Sequence, residues 1–348
     1  MFPALGRILV VLVAAVILAV FAWPQFFGLQ NTWVVAQAVS LRGLAVVVAV
    51  VLLVVLAGLL LLVRRLRGTT ALLMALLVAF GAVNTGILMH RGVGSAAAAA
   101  AAGSPTSITV LNWNTLGDAP GADAIAALAL TEDADVITLP ETTEATGILI
   151  AEALRAAGRP MWVHTVSFDL ISKARSTTLL ISPDLGDYTV TSASVSGPPG
   201  NTNVLPTVVA EPVNGNGPTI IAVHAVAPIQ WEMSNWRSDL DYLAELCSAE
   251  RAGTDGVIMA GDFNATLDHF AGRATSAGAV LGECRDAAAA AGVGGLGTWP
   301  SAAPSLLGSP IDHVLATDHW QVQTMRVIDT EDASGSDHRP IVATLTSG

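Results

Sequence analysis

The chain has 28 acidic residues, yet none precedes Asp118, and three long apolar runs fill most of the stretch before it. Ile8 to Trp23 is uninterrupted, and Phe26, Phe27 and Leu29 can extend it. Gly43 to Val63 carries no charge, and Ala71 to Met89 has only Asn84 and Thr85 as polar interruptions. A helix of roughly 20 apolar residues crosses the hydrocarbon core of a bilayer, because its backbone polar groups pair internally. The expectation is a membrane anchor over residues 1–91, with helices near 8–29, 43–63 and 71–89. A cleaved signal peptide fits the first run poorly. Phe21-Ala22-Trp23-Pro24-Gln25 lacks a small-residue cleavage pattern, and two more spans follow. A transporter or channel fits no better, since Asn84 is the one notably polar residue inside the runs and no ionisable group marks a path.

Charge divides the chain in the same place. The first 103 residues hold six arginines, at 7, 42, 64, 65, 67 and 91, whereas the remainder sets ten basic residues against all 28 acidic ones. Arg64, Arg65 and Arg67 cluster between the second and third runs, and such clusters are retained in the cytoplasm. That places the N-terminus inside and the large C-terminal region outside; Arg42 and Arg91 pull weakly the other way. Cys247 and Cys284 both fall in the exported region, where an even count permits a disulfide; two small buried thiols fit the sequence as well. Residues 92–106, GVGSAAAAAAAGSPT, read as a linker.

From Ile108 onward short apolar runs alternate with helical stretches. Strands are expected at ITVLNW, DVITL (135–139), MWVHTV (161–166), TTLLIS (177–182), VLPTVVA (204–210), TIIAVHA (219–225) and GVIMA (256–260). IDHVLA, HWQVQTMRV and RPIVATL follow near the end. Helices are expected at Ala122–Leu130, Glu144–Ala157 and Trp231–Arg251. The pattern describes one α/β domain over 107–348 with a large core.

Polar residues stand where the apolar strands end, the place α/β folds put ligands. They are Asn114, Glu141, His224, Asp262 and Asn264 of GDFN, Asp312, and Asp337 and His338 of GSDHRP. Singly, each is an ordinary turn former or cap. Together they offer hard oxygen donors suited to Mg²⁺ or Mn²⁺ rather than zinc, with two imidazoles for proton transfer. Those are the parts needed for attack of water on a phosphoester.

In this order the motifs VIMAGDFNAT, PIDHVLAT and GSDHRPIVATL, supported by LNWNTLGD and DVITLPET, resemble the endonuclease/exonuclease/phosphatase superfamily. The resemblance spans about Ile108 to Leu345 and implies a DNase I-like four-layered α/β sandwich, two packed mixed sheets flanked by helices. It implies Glu141 as a metal ligand with Asn114 beside it, and Asp337 completing the metal side. Asp262 and Asn264 would orient the water and the phosphate. His338 would contact the scissile phosphate or act as base, with Asp312 fixing its tautomer, and either His224 or His338 would be the acid. Two departures bear on substrate and metal number. Leu116 stands where many nucleases of the family have a carboxylate, with Asp118 two residues on, and Pro140 replaces a Gln before Glu141.

His164, His269 and His319 lack ligand spacing and are expected in structural or exposed roles, and His313 should face away from Asp312. Trp231, Trp236 and Trp299 read as core or rim, and Lys173 and Arg175 as a solvated loop or phosphate contacts. The expected function is metal-dependent phosphoester hydrolysis outside the cytoplasm, on nucleic acid, phospholipid or a small phosphoester, with the bilayer as partner and no protein partner. The acidic domain has no basic stripe for a long polyanion. The alternative is a non-catalytic surface protein that keeps the fold.

Overall fold

The structure, a computed structural model, describes residues 2–94, 107–169, 171–190, 201–248 and 255–348. Most of the expected linker, 95–106, and the end of the helix expected through Arg251 lie outside the described residues.

The N-terminal region folds as α1 (Phe2–Ala22), a short α2 (Val35–Ser40), α3 (Arg42–Leu62) and α4 (Arg67–Arg91). The three long helices are apolar and long enough to cross a membrane. Residues Phe26, Phe27 and Leu29 do not extend the first span as expected. Pro24 cannot donate a backbone hydrogen bond and disfavours helix at Trp23, so α1 stops at Ala22. A 3₁₀ turn over Pro24–Phe27 follows, closed by Gly28 at φ 66°. The Arg7 guanidinium donates to Arg65 O at 3.1 Å, so the cluster of Arg64, Arg65 and Arg67 and the N-terminal arginine share one end of the bundle.

The rest of the chain is a sandwich. β1 (Ser107–Asn112), α5 (Ala122–Thr131), β2 (Val136–Pro140), α6 (Glu144–Ala156), β3 (Trp162–Ser167) and β4 (Ser176–Ile181) come first. Next are β5 (Tyr188–Val190), β6 (Val208–Pro212), β7 (Thr219–His224), α7 (Met233–Leu246) and β8 (Val257–Asp262). The chain ends with β9 (Arg285–Asp286), α8 (Ala287–Ala290), β10 (Asp312–Ala316), β11 (Trp320–Val327) and β12 (Ile341–Ser347). One six-stranded sheet runs β11-β12-β1-β2-β4-β3 and the other β5-β6-β7-β8-β10-β9. In each, a central parallel pair, β1 with β2 or β7 with β8, is flanked by antiparallel neighbours.

Alternate residues of each strand enter different cores. Val110, Val136, Ile220 and Ile258 meet between the sheets, while Leu111 and Ile137 pack under α5 and α6 with Ile125 and Ile150. Ile221 and Met259 pack under α7 with Trp236 and Leu240. Both faces are covered, so the strands read as unbroken apolar runs. The observed β6 starts at Val208 instead of Val204, beyond Pro206, which has no N–H for a ladder. Cys247 after α7 is bonded to Cys284, with Cα atoms 5.8 Å apart.

The sandwich is docked on the end of the bundle opposite Arg64–Arg67, and Asp268 holds the joint. Its carboxylate accepts from Arg42 Nε at 2.9 Å and Nη2 at 2.7 Å, from Arg91 Nη1 at 2.9 Å, and from the Gln25 amide. Burial alone would raise its pKa, but the Arg91 and Arg42 guanidinium groups hold it well below the usual carboxylate range. Asn84 Oδ1 accepts a further proton of Arg42 at 2.6 Å, which gives that amide of α4 a structural role. The backbones meet closely beside it: a Cβ at Gly43 would lie 1.7 Å from Leu306 O.

Candidate active site

Register brings the polar residues to one edge. Within the second sheet His224 pairs with Asp262 across β7 and β8, and Asp312 pairs with Asp262 across β8 and β10. Asn114, Glu141 and the Asp337-His338 pair arrive from the ends of β1 and β2 and the loop before β12. Gly261 is needed there because a Cβ would lie 2.0 Å from Val223 O in the adjacent strand. Leu116, Asp118, Glu141 and Asn264 all have positive φ, 48°, 67°, 58° and 47°, a local concentration of strained backbone of the kind functional loops carry.

The centre is a buried histidine–carboxylate pair. His338 Nδ1 lies 2.8 Å from Asp312 Oδ2, while its Nε2 faces Asp262 Oδ2 at 3.7 Å and Asp337 Oδ1 at 4.0 Å. Asn112 Nδ2 donates to the other Asp312 oxygen at 3.2 Å, so that carboxylate is fixed on both sides. Asp262 Oδ1 accepts the Asn264 N–H at 2.8 Å, and Oδ2 accepts from Asn114 Nδ2 at 3.1 Å and Asn264 Nδ2 at 3.2 Å. Asn114 Nδ2 also reaches Glu141 Oε1 at 3.2 Å, and its Oδ1 accepts the Leu116 N–H. Trp299 Nε1 donates to Asp337 Oδ2 at 2.9 Å, and Asp337 Oδ1 is buried without a hydrogen-bond partner among the described residues.

Burial disfavours charge on His338, but Asp312, Asp262 and Asp337 outweigh it and raise the imidazole to about 10. Burial raises Asp262 to about 7 and also raises Glu141. His224 is driven down to about 3 by burial and by the nearby His338. Its Nε2 sits 3.9 Å from Glu141 Oε1, and its Nδ1 has no partner. The set therefore holds one imidazolium among Glu141, Asp262, Asp312 and Asp337. Among the described residues no Lys or Arg pairs with any of the four. Asp262, Asp312 and His338 also place ligand atoms within 4.8 Å of one another, a geometry able to hold a metal ion.

A family model described as "Endonuclease/Exonuclease/phosphatase family" matches residues 111–338. The chain belongs to the endonuclease/exonuclease/phosphatase family. Solved structures of the family share the sandwich at low identity. An endonuclease/exonuclease/phosphatase from Bacteroides vulgatus is 14% identical, with a TM-score of 0.50 over 70% of this chain and 100% of that one. Humanized D. rerio TDP2 is 16% identical, with a TM-score of 0.50 over 70% and 100%. A mannosyl-6-phosphatase from Bacteroides thetaiotaomicron is 16% identical, with a TM-score of 0.47 over 69% and 99%. No curated protein matches the sequence. Family members hydrolyse phosphoesters, on the same DNase I-like sandwich seen here.

Around this family site the other polar residues fall into supporting places. Asp118 turns away, accepting from Thr143 and pairing with Lys173 at 3.2 Å, and Arg175 binds Val204 O and Asn203 O. His313 faces away from Asp312 toward Asp286, at 2.7 Å. Four supports were not singled out from sequence. Asn112 holds Asp312, and Ser336 Oγ bridges Asn114 O and His338 N–H. Trp113 Nε1 donates to His338 O at 3.0 Å, and Trp299, read as core or rim, holds Asp337. A second Asn two positions before Asn114 was the one available signal.

Proposed function

We propose that the protein is a membrane-anchored, extracytoplasmic phosphoester hydrolase that uses Mg²⁺ or Mn²⁺. The observation that carries this reading is the Asp312–His338 pair aimed at Asp262, beside a carboxylate group with no cationic side chain of its own. Oxygen donors in excess of positive charge, and the unpartnered Asp337 Oδ1, fit a divalent cation. Glu141, Asn114 and Asp337 would hold it. This side is preferred over Asp262, Asp312 and His338 because His338 Nδ1 and Asp312 Oδ2 already satisfy each other. The ion, when bound, neutralises phosphate charge and acidifies water.

The protein's own groups then have defined tasks. Asp312 orients the His338 ring, so Nε2 presents a proton toward the space in front of Asp262, where a phosphoryl oxygen gathers charge. Asp262, held by Asn114 and Asn264, accepts the proton of the attacking water. Asn264 ties this loop to Ala225 O beside His224, whose buried neutral ring sits at the Glu141 side of the site.

The docked joint supports the outward orientation. Arg42 and Arg91, which pulled against the outward placement, are committed to Asp268, leaving Arg7, Arg64, Arg65 and Arg67 as the uncommitted cluster at the far end. The Cys247–Cys284 bond fits an oxidising compartment. Protease added to right-side-out vesicles should remove the C-terminal domain; protection would reverse the topology.

The activity test is release of nitrophenol from bis(p-nitrophenyl) phosphate and p-nitrophenyl phosphate by the full-length protein in detergent, with nicking of supercoiled plasmid in parallel. Turnover should require Mg²⁺ or Mn²⁺ and vanish with EDTA or His338→Ala. Metal-independent turnover would overturn the Mg²⁺ or Mn²⁺ assignment, and a folded protein that binds no metal and cleaves nothing would favour the non-catalytic surface protein.

A further inference from the structure

A cavity that reaches two residues of the site, Asn264 and His338, is walled in part by the N-terminal helices. A pocket of ≈ 340 Å³ has Asn264 and His338 in its lining, and Ala36, Gln37 and Ser40 of α2 close one side of it. Pro228, Ile229 and Trp299 supply other parts of the wall, and among the described residues no Lys or Arg lines it. Ser309 Oγ, also in the lining, is buried without a partner.

α2 is held rigidly against the catalytic loops. His269 Nδ1 accepts the Thr266 N–H at 2.8 Å, which leaves Nε2 to donate to Ala36 O at 3.1 Å. Gln37 donates through Nε2 to Pro228 O, and its Oε1 accepts the N–H of Val34, a β-branched residue at φ 72°. The loop after β8, which carries Asn264, therefore also carries the His269 contact to α2 and, at Asp268, the contacts to α3 and α4, while the loop after β7 holds Gln37.

α2 joins the outer ends of α1 and α3, so it lies where the bundle leaves the bilayer. Large apolar side chains near it remain exposed: Phe26 at 71%, Trp33 at 49% and Ile229 at 41%, with Trp231 at 77%. Aromatic residues in that position sit at the headgroup level of a membrane. The catalytic groups thus open beside the bilayer surface through a largely apolar wall.

Resting on the hydrolase reading above, we propose that the substrate is a membrane lipid phosphoester, taken with its phosphate toward His338 and Asn264 and its apolar chain leaving along α2 and Ile229 into the bilayer. Water adds its oxygen to phosphorus and the ester P–O bond breaks. One water proton goes to the Asp262 carboxylate, and His338 Nε2 gives its proton to the departing alkoxide, which leaves as the alcohol. A phosphodiester lipid yields a phosphomonoester and an alcohol; a monoester yields inorganic phosphate and an alcohol. An apolar wall without cations gives a long polyanion nothing to neutralise it, whereas a lipid is delivered in the membrane plane at high local concentration.

The test uses full-length protein in vesicles with Mn²⁺. Phosphatidylglycerol, phosphatidic acid and a polyprenyl phosphate are each compared with a water-soluble counterpart: glycerophosphoglycerol, glycerol phosphate and isopentenyl phosphate. Bis(p-nitrophenyl) phosphate reports the hydrolase reading separately. At least one lipid should exceed its counterpart by about 100-fold in kcat/KM, since only the lipid buries its chain against the wall. Ser40→Trp, which fills the wall, and Ile229→Asp, at an exposed position, should each lower that ratio about tenfold. Cleavage of the chromogenic ester with no lipid preference, or plasmid nicking faster than any lipid cleavage, overturns the lipid assignment and leaves the hydrolase standing. Failure on every ester, the chromogenic one included, overturns both.

Discussion

Asp262 ends β8 and Asp268 lies six residues on in the loop that follows, and both are almost fully buried, at 1% and 2% exposure. Asp268 meets two guanidinium groups and an amide, and its pKa falls; Asp262 meets two amides, one backbone N–H and a histidine, and burial raises it to about 7. The first is a satisfied ion pair that fastens the catalytic domain to its anchor. The second is a carboxylate kept partly unsatisfied, at a cost that chemistry has to justify. Burial alone does not separate a structural acid from a catalytic one. The partners do.

If that contrast is correct, neutralising the two residues should have opposite profiles. Asp262→Asn should reduce turnover of bis(p-nitrophenyl) phosphate by about 1,000-fold, the scale of losing a general base. It should lower the thermal midpoint of unfolding in detergent far less than loss of an Arg-paired acid would, because Asp262 is a buried carboxylate whose one charged neighbour is His338, at 3.7 Å. Asp268→Asn should do the reverse in emphasis. It leaves Arg42 and Arg91 buried and unpaired, a loss of about 3–5 kcal/mol when one side of a buried pair is removed. Limited proteolysis should then separate the domain from the three helices. A stable Asp268→Asn protein, or an unstable and active Asp262→Asn protein, would erase the distinction.

The sequence separates these two acids only in part. GDFN after a continuous apolar strand marks Asp262, and the companion motifs mark Glu141, Asp312 and His338, because each sits at a strand end that periodicity locates. The apolar runs likewise mark the spans and the central strands, whose two covered faces leave no alternation. Asp268 carries no such mark: its partners, Arg42 and Arg91, lie more than 170 residues earlier, and no local pattern predicts a long-range ion pair. The same holds for α2, a six-residue helix between two spans that becomes a wall of the site. β5, β9 and α8 are too short for a periodic signal. The early end of α1 was readable at Trp23-Pro24, where apolar composition had suggested continuation through Leu29.

A smaller effect is expected at the second tie between loop and anchor. Burial lowers the His269 pKa to about 4, against about 6.5 for an exposed imidazole, so the folded protein holds the neutral ring. Its stabilisation is complete above about pH 6.5 and is lost as pH falls toward the folded value, by roughly 1 kcal/mol per unit. His269→Gln keeps a donor for Ala36 O and an acceptor for Thr266 N–H without titrating. The difference in unfolding midpoint between wild type and variant should therefore shift toward the variant between pH 6.5 and 4. A pH-independent difference would mean that the ring protonates without disturbing the α2 contact.

The smallest expected effect tests the catalytic side of the comparison. Trp299→Phe keeps an aromatic wall but removes the proton that Nε1 gives to Asp337 Oδ2. If Asp337 serves the cation, freeing its carboxylate should weaken the apparent Mn²⁺ affinity about tenfold, as loss of a ligand's outer hydrogen bond does. The unfolding midpoint should move little, because Trp299 is 36% exposed and the carboxylate can turn to water. A change in lipid turnover at saturating Mn²⁺, with metal affinity unchanged, would instead assign Trp299 to the substrate wall. Unchanged affinity and turnover together would reduce it to a rim residue and show that its bond to Asp337 Oδ2 does not tune the metal side.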